Sequence, residues 1–174
     1  NHTAFTNLNT QLSYKKIDKY SEKFGAYLQN QLSITKDSKV AIMLPNLLTY
    51  PVALFGSYLA GATVININPL FKSREIENTL NDSKAETIIV LDRFISELEP
   101  IVKNTLIKNI IVCKVTDLLS PAMSVLVKTV VFFKGPKISL NSDYLLFSDA
   151  LKNSYIRTNV VLEKKDIALL QYTG

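Results

Sequence analysis

The sequence predicts an α/β protein: a doubly wound, mostly parallel sheet flanked by helices. Three observations predict it. Between residues 40 and 115 the chain alternates four apolar runs with three stretches of helical spacing. The apolar runs lack the polar alternation of a half-exposed strand, so their sheet is covered on both faces. At 174 residues, with 47% hydrophobic and 20% charged side chains, the chain can bury a full core.

The elements follow in order. From Ser13 to Leu32 the apolar positions Ile17, Tyr20, Phe24, Leu28 and Leu32 step by three or four, giving an amphipathic helix with Ser13 as N-cap. Thr35 to Ser38 reads as a polar turn. Val40 to Leu44 is a strand ended by Pro45, and Asn46 is the expected cap of a buried helix over about 47–60. In that helix Pro51 is tolerable in the first turns, Gly56 reads as a close-packing contact and Gly61 as the C-terminal cap. A second strand spans "ATVININ" and stops at Asn68-Pro69. Ser73 is the expected cap of a third helix to about Asp82, with Glu75 and Glu77 in its first turn, where the helix dipole favours acids. "AETIIVLD" is a third strand. Phe94, Ile95, Leu98, Ile101 and Val102 give helical spacing disturbed by Pro100, and "NIIVCKV" is a fourth strand. Right-handed crossovers joining parallel strands complete the arrangement.

Beyond Asp117 the texture changes. Residues 117–145 form an apolar and basic segment that carries Lys128, Lys134 and Lys137 and, between Asp117 and Asp143, no acid. Two readings apply: a helix packed on protein, or an interfacial segment on an anionic membrane with these lysines at head-group level. "YLLFSDALKNS" reads as a short strand or turn followed by a helical turn, and "KKDIALLQYTG" as a last strand.

Composition narrows the chemistry. A net charge of +5 with basic residues spread along the chain does not point to nucleic acid. The single cysteine, Cys113, allows no internal disulfide and reads as a buried core residue. The single histidine, His2, gives no His-based triad and no multi-histidine metal site. The apolar stretches are too short or too interrupted to span a membrane. Ligands of open α/β sheets bind beyond the carboxyl ends of the strands. The residues there are Pro45, Asn46, Asn66, Asn68, Asp92, Lys114 and the terminal Tyr172, Thr173 and Gly174. They include neither a glycine fingerprint nor a carboxylate cluster, which excludes a dehydrogenase and a phospho-acceptor receiver domain. Small residues after a strand, as in Thr173-Gly174, let backbone N–H groups and a hydroxyl approach phosphate oxygens.

The closing "LQYTG" resembles the opening of the Gly/Thr-rich phosphate-binding loop of adenylate-forming enzymes. "LSYKKIDKYSEKFGAYLQNQL", "KVAIMLPNLLTYPVALFGSYLAGATVININPLF" and "SREIENTLNDSKA" are similar, in the same order, to bacterial long-chain fatty acid–CoA ligases. The likeness covers most of residues 3–113 and again 160–174. It implies a partial N-terminal domain over 1–174, truncated where the ATP phosphate loop starts. The intact enzyme would convert fatty acid, ATP and CoA into acyl-CoA, AMP and pyrophosphate through an acyl-adenylate, with Mg²⁺. Tyr172, Thr173 and Gly174 would open the ATP phosphate loop. No catalytic residue and no metal ligand carries over. The piece itself is expected to be inactive, to bind none of these cofactors tightly and to self-associate, a homodimer being one form. The expected location is cytoplasmic, with peripheral contact at the inner face of the cytoplasmic membrane. A medium-chain ligase, a fatty acyl-AMP ligase, a non-catalytic membrane-docking α/β module and a phosphate-binding regulatory domain are the competing readings.

Overall fold

The computed structural model describes residues 2–134 and 141–172, with the side chain of Lys134 left out. In chain order the elements are β1 (Thr3–Asn7), β2 (Thr10–Ser13), α1 (Tyr14–Leu32), β3 (Lys39–Met43), α2 (Thr49–Leu59), β4 (Thr63–Asn66) and α3 (Ser73–Ser83). They continue as β5 (Thr87–Leu91), α4 (Ile95–Leu98), β6 (Asn109–Cys113), α5 (Pro121–Lys134), β7 (Leu145–Leu146), α6 (Phe147–Ala150) and β8 (Leu169–Gln171). β3 to β8 form one sheet in the order β7-β6-β5-β3-β4-β8, and every pairing in it is parallel.

The unbroken apolar runs follow from burial on both faces. In β3, Val40 and Ile42 point into one core cluster while Ala41 and Met43 point into the other. β5 and β6 divide in the same way: Ile89 and Ile111 lie on one face, Ile88 and Val112 on the opposite one. The first cluster is closed by α1, α2 and α6 through Phe24, Leu28, Val52 and Phe147; the Phe24 and Phe147 ring centroids lie 5.0 Å apart. The second is closed by α3 and α4 through Ile76, Leu80, Ile95 and Leu98. Cys113 is fully buried, as its strand context predicts, and burial pushes its thiol well above the usual range.

α1 and α2 approach each other through two glycines. A Cβ on Gly56 would lie 2.7 Å from Phe24 Cδ1, and one on Gly25 would lie 2.9 Å from the Gly56 carbonyl oxygen. Gly56 is thus the close contact its sequence position suggested. Gly61 has φ +94°, the left-handed geometry expected where α2 ends.

Getting from β7 to β8 requires the chain to cross the whole sheet, and α1 is the track. Lys23 Nζ donates to the Leu151 carbonyl at 3.0 Å, and Asn30 Nδ2 to the Ile156 carbonyl at 3.2 Å. Gln29 pairs with the Thr158 backbone as a strand would, accepting from its N–H at 2.8 Å and donating to its carbonyl at 3.0 Å. Arg157 makes a bidentate pair with Glu22, 2.7 and 3.1 Å, and also donates to the Leu59 carbonyl at 3.3 Å. This strap therefore rests on both α1 and the end of α2.

Several elements differ from the sequence reading. Asn46 does not cap α2. Residues 45–48 make a turn, with Leu47 N–H on the Pro45 carbonyl and Tyr50 N–H on that of Leu47, so the helix starts after Leu48 with no side-chain cap. Ser73 is the first residue of α3 rather than its cap: extended Lys72 holds the cap position, and its N–H donates to the Glu75 carboxylate at 2.9 Å. Ser73 instead donates from its N–H and hydroxyl to Glu97, 3.2 and 3.0 Å. Glu77 lies past the first turn, leaving Glu75 as its acid. The helix expected from Phe94 to Val102 is cut by Pro100 into the single turn of α4 between 3₁₀ turns at Asp92–Phe94 and Val102–Asn104. The first twelve residues, not assigned from sequence, contain an antiparallel hairpin, β1 with β2, turned by Leu8 and Asn9 at φ 45° and 54°.

Two outcomes are expected. Gly25→Ala gains about 1 kcal/mol of helix propensity. It loses more by driving a methyl into a backbone oxygen, so urea unfolding should show a net loss of about 1–2 kcal/mol. Arg157→Met should cost about 1 kcal/mol, because Glu22 is half exposed and solvent weakens the pair. Its larger effect should be faster amide exchange across residues 155–160, measured by hydrogen–deuterium exchange.

Candidate functional site

Beyond the carboxyl ends of β3, β4 and β8 lies an open cleft of about 430 Å³. Its apolar floor is Ile42, Leu44, Ile67 and Phe71; its polar wall is Asn46, Tyr50, Asn66, Asn68, Gln171 and Tyr172. A larger groove of about 660 Å³ lies where Lys36 pairs with Asp166 at 2.8 Å, beside Gly61 and Thr63. That groove is at the amino ends of the strands, opposite the end where α/β sheets bind ligands. The smaller cleft is therefore the candidate site.

Its wall is one directed series of hydrogen bonds. Tyr50 Oη donates to Asn66 Oδ1 at 3.1 Å, Asn66 Nδ2 donates to Gln171 Oε1 at 3.1 Å, and Gln171 Nε2 donates to the Tyr172 carbonyl at 3.4 Å. The register that pairs Asn66 with Gln171 across β4 and β8 sets the middle link. Asn68 accepts from the Leu70 N–H at 3.0 Å and fixes the turn before α3. The Asn46 carbonyl accepts from Asn7 Nδ2 at 3.0 Å, tying the cleft rim to the β1–β2 hairpin. Tyr172 leaves β8 and donates its hydroxyl to Asp82 Oδ2 of α3 at 2.5 Å. Burial and this bond to a carboxylate push the phenol up to about 12.

The residues expected at the strand ends separate into two groups. Asn46, Asn66, Asn68 and Tyr172 come together in the cleft. Asp92 and Lys114 instead line a second cleft of about 290 Å³ beside α5, where they meet Lys128, one of the lysines expected at head-group level. Thr173, Gly174 and Lys137 lie outside the described residues, as does the side chain of Lys134. Tyr50 and Gln171 are site residues that sequence reasoning missed. Tyr50 looked like one more member of an apolar helix; Gln171 was visible only as the residue before Tyr172. Among the described residues no group of three or more His, Cys, Asp or Glu side chains could hold a metal ion.

Comparison with known proteins gives three findings. The family described as AMP-binding enzyme matches residues 1–174. A long-chain-fatty-acid–CoA ligase of Escherichia coli O157:H7 is 43% identical over 98% of this chain, and one of Bacillus subtilis is 27% identical over 99%. The chain spans 31% of the length of each of these relatives. In fold it is similar to the anthranilate CoA ligase AuaEII, with TM-score 0.79 and 21% identity, over 99% of this chain and 29% of that one. A long-chain-fatty-acid-CoA ligase from Archaeoglobus fulgidus gives TM-score 0.71 and 22% identity over the same shares.

The tyrosine at the site makes a pH-dependent contribution. A phenol raised in the folded state stabilises fully below the unfolded value of about 10. That contribution is lost as pH rises toward the folded value of about 12. Tyr144, also pushed up to about 12 by burial and Glu99, adds a second such group. Tyr172→Phe should therefore flatten, without abolishing, the fall in urea midpoint between those pH values.

Proposed function

The chain belongs to the AMP-binding enzyme family, and on that premise we propose that it is the amino-terminal portion of an ATP-dependent long-chain fatty acid–CoA ligase. The supporting observation is the 43% identity to the Escherichia coli ligase across 98% of the chain. The overall reaction converts fatty acid, ATP and CoA into acyl-CoA, AMP and pyrophosphate through an acyl-adenylate. ATP with Mg²⁺ supplies the leaving group that makes a carboxylate reactive; CoA supplies the acceptor thiol.

The chain's own residues would form one wall of the nucleotide site. The cleft offers amide and hydroxyl donors and no cationic side chain among its lining residues, which suits a rim that orients a phosphate loop rather than one that neutralises phosphate. Asn66 and Gln171 lock the end of β8, and Tyr172 is anchored on Asp82. Metal-holding acids would come from residues beyond this chain. Peripheral contact with the inner face of the cytoplasmic membrane belongs to the same reading, since the substrate partitions there.

The protein expressed from its whole gene should form palmitoyl-CoA and AMP from palmitate, ATP, Mg²⁺ and CoA. Preference for octanoate would make it a medium-chain ligase, and accumulation of acyl-adenylate with no thioester would make it a fatty acyl-AMP ligase. Absence of any acyl transfer would sink the proposal. The 174-residue chain alone should form no thioester, and calorimetric titration should show no sub-micromolar ATP binding. In the whole enzyme Asn66→Ala should raise KM for ATP about three- to tenfold, the effect of losing roughly 1 kcal/mol of hydrogen bonding at the wall.

A further inference from the structure

α5 is apolar and only partly packed on the domain: Met123, Val127 and Val131 are half-buried. Among the described residues none of its side chains joins either core cluster. Phe132 is 82% exposed, Phe133 77% and Val125 66%, with Leu126 and Val130 also more than half exposed. The helix is held at its start, where Ser120 N–H donates to Thr10 Oγ1 of β2 at 3.1 Å. Its 14 residues make a rod of about 20 Å, short of the roughly 30 Å of a bilayer core. Among the described residues no helix is long and apolar enough to cross a membrane. That length and exposure suit a helix lying along an interface.

Charge completes the surface. Arg93, Lys114 and Lys128 line the cleft of about 290 Å³ beside α5, whose other wall includes Val131 and Phe132 of the helix itself. Among the described residues none of these three cations takes part in an ion pair. The facing acid is Asp92, whose Oδ1 is buried without a hydrogen-bond partner. Nearby Asp117 is turned onto the Lys114 N–H at 2.8 Å. Three cations against one lining carboxylate, next to exposed aromatic and aliphatic side chains, match a phosphate head group attached to acyl chains.

We infer that α5 and the basic cleft at its flank are a docking face for an anionic bilayer. The helix lies in the head-group layer, and a lipid phosphate seats among Arg93, Lys114 and Lys128. This names the surface for the membrane contact in the proposed function and in that respect rests on it. An anionic lipid surface is favoured over a protein partner because the exposed apolar side chains of α5 lie beside three cations, Arg93, Lys114 and Lys128, that among the described residues take part in no ion pair.

The whole-gene protein should co-sediment with vesicles of phosphatidylcholine containing about 30 mol % phosphatidylglycerol, and not with phosphatidylcholine alone. Raising NaCl from 0.1 to 0.5 M should release it. Phe132→Asp and the double variant Arg93→Glu/Lys114→Glu should each weaken vesicle binding at least tenfold with an unchanged melting temperature. Equal binding to neutral vesicles, no binding at all, or full binding by the double variant would overturn the inference. So would a lowered melting temperature in Phe132→Asp, since that residue would then be packed against protein. Palmitoyl-CoA formation in detergent micelles, measured on the same variants, keeps failure of docking distinct from failure of the ligase reading.

Discussion

The structure depends on a crossing. β7 and β8 occupy opposite edges of the sheet, so the chain between them must traverse a whole face and arrive in parallel register with β4. Residues 151–158 are carried along it by side chains of α1. For that track to work, α1 must lie close against α2, which is what Gly25 and Gly56 permit. A larger residue at either glycine would separate the helices and move Glu22 away from Leu59, whose carbonyl Arg157 also holds. Helix approach, strap and candidate site are thus linked in sequence, although the glycines themselves are absent from the cleft.

That dependence explains which parts of the fold the sequence reveals. β3 to β6 and the helices α1, α2 and α3 are legible because burial on two faces forces unbroken apolar runs and burial on one face forces helical spacing. The strap has neither signal: its bonds join Gln, Asn, Lys and Arg side chains to backbone and Arg157 to Glu22, and such partners have no period. The β1–β2 hairpin is hidden for a related reason, because its turn uses Leu8 and Asn9 rather than glycine. Asn46 and Ser73 are good capping types, but a turn over 45–48 delays the start of α2 to Thr49, beyond the reach of Asn46, and the Ser73 hydroxyl bonds Glu97 instead.

The site divides along the same line. Asn46, Asn66, Asn68 and Tyr172 could be picked out because strand ends in an open α/β sheet are where ligands bind. Asp92 and Lys114 satisfy the same rule but serve a different cleft, since strand order places β5 and β6 away from β8. Position along the chain reports which end of the sheet a residue occupies; it does not report which side of the central strand.

The hydrogen-bond series along the cleft wall has a sense. Tyr50 begins it as a donor with no acceptor duty in the series, and each amide after it receives on oxygen and gives on nitrogen. The bond dipoles consequently align head to tail, with their positive ends directed toward the exit of β8. Half-buried Tyr50 of α2 therefore sets the sense of a polar series that runs across β4 to the end of the neighbouring β8, through neutral side chains alone.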